Sequence, residues 1–398
     1  MVVAPRRLEN SQRARRAAWL LTLAGLLVAP GPARAQTSEA APDSVGLAPG
    51  VPVTPLVLSD TTSRKRQISA YPYVYYTPET ELAFGAGGIV TFYTAEDSGL
   101  RPSKIALSGY YATTGQYKFT LTPTLYFREN RYAVVGTLDY GNYVDRYYGI
   151  GRDTPDIEDA AQYVSRAGGL ELEVQIPPPL GLATRMGFIY DLSYLKIRDV
   201  ETNPYLIAGG VPGQEGGWVS GLGALWVIDT RNHTFVPDKG GLYRGEIVAY
   251  GHGLGSDYGF TRYRLDLRKY FKVGKEQALA AQFYEWSVVG GPPFYELPKL
   301  GGGSRMRGYY EGRYRDVHYV TGQVEFRTHL FWRVGAVAFY GLGDMSSELS
   351  RIRLRSARSS YGGGLRIAFQ PKQKVNLRVD FGAGPHTNGV YFGLEEAF

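Results

Sequence analysis

"QYKFTLTPTLYF", residues 116–127, places Lys118, Thr120, Thr122 and Thr124 on one face and Tyr117, Phe119, Leu121, Leu125 and Phe127 on the other. Side chains of an extended chain alternate faces, so a period of two reads as a strand. The pattern recurs. "TRYRLDLRKY" (261–270), "VTGQVEFRTHL" (320–330) and "VNLRVDFG" (375–382) each set a charged face against an apolar one. In the last two, Glu325 and Asp380 fall on the charged face. Any one such strand fits a soluble sandwich. Many long strands with almost no helix to cover them, and Tyr, Phe and Trp crowded at the segment ends, fit a transmembrane barrel with an apolar exterior, a polar lumen and aromatic girdles. Backbone groups in hydrocarbon must all pair, so such a sheet must close.

Sixteen strands are expected, beginning near residues 68, 81, 104, 116, 131, 163, 182, 218, 241, 260, 277, 317, 334, 360, 374 and 389. Links such as 128–130, 177–181 and 371–374 are short. The links near 141–162, 197–217, 291–316 and 343–358 are long. Short periplasmic turns and long surface loops alternate in this way in outer-membrane barrels. Pro123 cannot donate to a ladder and is expected to mark a bulge.

Composition narrows the function. The chain of 398 residues carries a net charge of +7, but six arginines and one glutamate lie in its first 35 residues. The remainder is nearly neutral, which gives no reason to expect nucleic acid. The absence of cysteine excludes disulfides, thiolate metal sites and a Cys nucleophile. No cofactor or metal is expected. Arg6, Arg7, Arg13, Arg15 and Arg16, the apolar run 17–29 and "ARA" (33–35) read as a signal peptide over 1–35. Residues 36–66 read as a disordered periplasmic lead-in, and 67–398 as the barrel.

"KLGGGSRMRGYYEGRYRD" (299–316) is the densest basic stretch. It lacks the G-x-x-x-x-G-K-[ST] of a phosphate loop, and "GGSRM" breaks the G-x-S-x-G of a nucleophile elbow. It reads either as an ordinary arginine-rich surface loop or as a loop turned back into the lumen. There Arg307 meets the inward-facing Glu325, and Gly301, Gly302 and Gly303 allow the turn. Enzyme activity is not expected. None of His233, His252, His318, His329 and His386 is flanked by a nucleophile motif.

"LGGGSRMRGYY", "GQVEFRTHL", "VAFYGLGD", "YGGGLRIAF", "VNLRVDFGAG", "GVYFGLEEAF" and "VIDTRNHTFVPDKGG" together resemble the barrel of the BamA/TamA family, the bacterial surface antigens. The resemblance spans 67–398. It implies a 16-stranded antiparallel transmembrane β-barrel of the Gram-negative outer membrane whose sixth surface loop folds inward. It maps a latch motif onto Met306, Arg307, Gly308 and Tyr309, with Glu325 as one acidic partner. The family's second acid would stand at Gly341, which leaves Asp344 as its substitute. The resemblance makes Phe398 a C-terminal assembly signal. It is to reduced members without POTRA domains. It implies outer-membrane lipids and the barrel assembly machinery as partners, together with client outer-membrane proteins or a separate periplasmic partner. The implied function is assistance to protein or lipid insertion or translocation; a passive or structural pore is the alternative. Gly382, Gly384, Gly389 and Gly393 would either weaken a seam between the first and last strands or ease curvature.

Overall fold

A computed structural model describes residues 66–398, except 97–99, 101, 129, 156–160, 178–184, 201–202, 234–235, 371–374 and 395. The expected signal peptide and nearly all of the lead-in lie outside the described residues. The strands are β1 (Gln67–Thr77), β2 (Glu81–Phe92), β3 (Ser103–Ala112), β4 (Tyr117–Phe127), β5 (Tyr132–Arg146) and β6 (Gln162–Ile176). They continue through β7 (Arg185–Asp199), β8 (Gly216–Asp229), β9 (Gly240–Tyr250), β10 (Phe260–Lys272) and β11 (Gln277–Gly290). Two short strands follow, β12 (Lys299–Leu300) and β13 (Tyr314–Arg315). The wall then resumes with β14 (His318–Phe331), β15 (Val334–Ser346), β16 (Arg358–Gln370), β17 (Val375–Gly384) and β18 (Thr387–Leu394).

Each wall strand pairs antiparallel with its neighbour, and β1 meets β18, so sixteen strands close into a barrel. β12 and β13 pair with each other as a ribbon inside the sixth surface loop, and Arg315 of β13 also bridges Gly151. Alternation sorts the side chains as the sequence pattern requires. Leu107, Phe119, Phe188, Leu222, Phe283 and Phe381 are exposed on the outer wall. Lys118, Thr120, Thr122 and Thr124 are buried on the inner one.

Two expectations change. Pro123 marks no bulge. The β4–β5 register runs from Leu121 opposite Leu138 to Thr124 opposite Val135 without a shift, and pairing is merely interrupted between them. Gly136 lies opposite the proline; a Cβ there would meet Pro123 Cγ at 3.0 Å. The missing side chain accommodates the ring. The closure is also uneven. β17 and β18 pair over eight positions and β1 and β2 over eleven. Among the described residues, β1 and β18 share the single pair Tyr76 and Phe392.

Candidate functional site: the inward-folded sixth surface loop

The loop between β11 and β14 enters the lumen because its base and its tip are both held. At the base, the β12–β13 ribbon is tied to β5: Lys299 Nζ and Arg315 Nη2 each lie 2.9 Å from Asp145 Oδ2. Arg313 donates to Thr154 Oγ1 at 3.0 Å, and Arg305 stacks 4.0 Å over the ring centroid of Tyr284. The dense positive charge of 299–316 is thus consumed by the barrel itself.

At the tip, Arg307 is fully buried. Its Nη2 donates to Glu325 Oε2 and its Nη1 to Asp380 Oδ2, both at 2.6 Å. Its guanidinium carbon lies 3.4 Å over the ring centroid of Phe339. A planar fork with separate donors can bridge two carboxylates in this way, where the point charge of a lysine cannot. Arg327 donates to the other oxygen of Glu325 at 2.8 Å. Arg366 pairs with Asp380 on one side and with Glu396 at 2.7 Å on the other.

Asp344 does not reach Arg307. It lies 3.4 Å from Arg152 and accepts hydrogen bonds at 3.1 Å from Arg353 N and Ser356 Oγ. The register explains the difference. Glu325 stands opposite Phe339 and Asp344 opposite Val320, so the two carboxylates differ in height by roughly 16 Å along the strands. Asp344 instead ties down the loop after β15. The second acid comes from the penultimate strand, β17. Its inward direction was legible from the alternation of "VNLRVDFG"; its depth relative to Arg307 was not.

The wall beneath the tip is lined with glycine. A Cβ on Gly343 would meet Met306 Sδ at 2.9 Å, one on Gly382 the Arg307 carbonyl carbon at 2.6 Å, and one on Gly384 the Tyr309 ring at 2.5 Å. Gly382 and Gly384 therefore clear space for the loop, a role that neither weak pairing nor curvature describes. Gly308 has φ 108°, and a Cβ on it would meet the Ala383 backbone at 2.7 Å. Gly301 and Gly302 turn the chain at φ 115° and 99°; Gly303 is buried but is not among the glycines with positive φ. Met306 adopts φ 51°, a conformation L-residues rarely take.

The tip also touches both sides of the seam. On the β18 side, Gly308 N donates to Tyr391 Oη at 2.9 Å and Thr387 Oγ1 donates to Gly308 O at 2.6 Å. On the β1 side, Glu311 N donates to Glu79 Oε1 at 2.8 Å. Glu79 occupies the turn between β1 and β2. Burial, with the Glu311 carboxylate beside it, pushes its carboxyl up to about 7.

Phe398 is not displayed on the outside. The chain after β18 turns into the lumen, where Phe398 packs with Tyr270, Ala280 and Ala397. Arg327 Nη2 donates to its carbonyl at 2.8 Å. One chain of ion pairs and hydrogen bonds thus runs from the loop tip through Glu325 and Arg327 to the last residue.

His318 and Ser287 are not arranged as a hydrolase pair. His318 Nδ1 lies 2.8 Å from Ser287 Oγ, but the serine hydroxyl donates to Glu285.

The Omp85 superfamily domain model matches residues 101–398. No protein of curated function matches the sequence. Among solved structures, BamA from Haemophilus ducreyi lacking POTRA domains 1-3 is similar at 15% identity and TM-score 0.58, covering 83% of this chain and 70% of that one. CdiB from Escherichia coli is similar at 14% identity and TM-score 0.56, covering 82% of this chain and 62% of that one. CdiB from Acinetobacter baumannii is similar at 11% identity and TM-score 0.50, covering 83% of this chain and 59% of that one.

Proposed function

The chain belongs to the Omp85 superfamily, and from that premise we propose that it is an outer-membrane barrel that passes or inserts client polypeptides at the β1–β18 seam. The observation that carries this reading is the seam itself. Among the described residues, one pair joins β1 to β18, whereas every other wall junction pairs over many positions. The unpaired remainder of β1 is an open edge, and an open edge can template another strand. The loop tip, bonded to both β18 and the β1–β2 turn, acts as the clasp that holds the seam while the edge stays available. A barrel assembly machinery delivers the protein to the membrane, and a periplasmic partner hands clients to it. The filled inner wall, with Arg307, Glu325 and Asp380 fully buried, argues against a general pore.

The absence of cysteine makes the test clean. Tyr76→Cys with Phe392→Cys places two thiols on facing positions of the seam. Oxidation is expected to stop the accumulation of other outer-membrane proteins, and reduction to restore it. Accumulation unaffected by the closed disulfide overturns the reading and leaves the passive-pore alternative, which bilayer conductance then measures.

A further inference from the structure

The outer wall of β5 to β8 is ordered in rows set by strand register. Asn142 faces Arg166, and Arg166 faces Lys196. One row nearer the periplasm, Tyr140 faces Gly168, Gly168 faces Tyr194, and Tyr194 faces Trp218. The rings of Tyr194 and Trp218 lie 4.8 Å apart. The next row is Leu138, Leu170 and Leu192. Polarity therefore steps from cationic to aromatic to aliphatic within three rows. That sequence marks the aromatic girdle and places Arg166 and Lys196 at headgroup depth, just outside it. They stand at the end of the barrel that carries the long loops, which is the outer leaflet.

Arg166 and Lys196 are exposed, and neither makes an ion pair or a side-chain hydrogen bond among the described residues. Arg198, exposed and two residues beyond Lys196, adds a third cation. Asp257, on the adjoining loop, is taken up by Trp218 N at 2.7 Å. Like charges directly opposite on neighbouring strands repel. The lumen of this protein neutralises its arginines with carboxylates, whereas this row has no internal counter-ion.

We propose that the Arg166–Lys196 row, flanked by Asn142 and Arg198, binds a phosphate of a phosphorylated glycolipid of the outer leaflet. A phosphate between the two side chains turns their repulsion into two charge-assisted contacts, one from a guanidinium fork and one from an ammonium. The acyl chains then lie along the Leu138, Leu170 and Leu192 rows. The inference rests on outer-membrane residence and is independent of client insertion.

The test uses the full chain, folded in neutral nanodiscs doped with bisphosphorylated lipid A, with lipid retained after detergent extraction as the readout. Parallel arms use dephosphorylated lipid A and phosphatidylglycerol. The wild type is expected to retain bisphosphorylated lipid A over both. Arg166→Gln with Lys196→Gln is expected to lower retention by about tenfold or more, since both charge-assisted contacts are lost. The exchange Arg166→Lys with Lys196→Arg keeps the charge and should keep most of the retention, which covers the case in which the neutral variant fails to fold. Equal retention by the neutral variant, or of the dephosphorylated lipid, or of phosphatidylglycerol, overturns the proposal.

Discussion

Arg307 and Asp380 lie 2.6 Å apart, both without solvent exposure, although 73 residues separate them in the chain. The contact joins the tip of a surface loop to the penultimate strand at the centre of a lumen. Asp380 and Glu325 are held there by the shared Arg307, with Arg366 as a second cation on Asp380 and Arg327 on Glu325.

Removing Arg307 leaves two buried carboxylates without their shared partner. Arg307→Ala is expected to destabilise the barrel by about 3–5 kcal/mol. Arg307→Lys should recover only part of the loss, because an ammonium cannot match the fork. The temperature at which the folded band converts on semi-native gels measures both; a wild-type value for Arg307→Ala would count against the pairing.

Double-mutant cycles separate the two candidate acids. The Arg307–Asp380 cycle should show a coupling on the order of 1–3 kcal/mol, and the Arg307–Asp344 cycle none beyond error. Asp344→Asn should instead increase protease cutting in the loop after β15, where Arg353 and Ser356 lose their acceptor.

Glycine under the loop tip is a steric requirement. Gly382→Ala sets a methyl against the Arg307 carbonyl, and Gly308→Ala adds strain at φ 108° to a clash with Ala383. Each should release the tip and expose Arg307 to labelling by an arginine-directed reagent. Gly393→Ala, where no atom lies within 4 Å of the added methyl, should have little effect.

Acidification should tighten the clasp. Glu79 is raised to about 7, above the ordinary carboxylate value, so the folded state binds more protons than the unfolded one between about 4.5 and 7. Stability from this group is complete below that window and is lost as pH rises through it. Partial exposure limits the effect to the order of 1 kcal/mol. Glu79→Gln should flatten the dependence; a stability that rises with pH over the window in the wild type and not in the variant would contradict the sign.

Phe398 separates packing from signalling. With its ring inside the lumen, Phe398→Ala should lower the stability of barrel refolded in detergent by about 2–4 kcal/mol. An assembly signal acts before the lumen closes, so that role would appear as slower assembly in cells and not in detergent.

The strand pattern was legible because alternation is local: each residue's face depends only on its parity, and the sixteen strands begin within a few residues of where the sequence places them. Arg307, Glu325 and the glycine-rich turn were legible from residue type and from family resemblance. The choice of Asp380 over Asp344 was not. Asp380 lies on the inward face, whereas Asp344, five positions from the inward-facing Phe339, falls on the other, and only closure of the sheet, with its stagger between strands, sets the height of Asp380 against a loop entering from above. For the same reason the clearance that Gly382 and Gly384 give was not readable until Arg307 and Tyr309 lay over them. The sequence by itself determined a barrel and its faces, and the inward loop followed from the family resemblance. The tertiary structure alone decided which acid holds Arg307, where Phe398 rests and how thin the β1–β18 seam is, because each depends on distances across a lumen that no local pattern encodes.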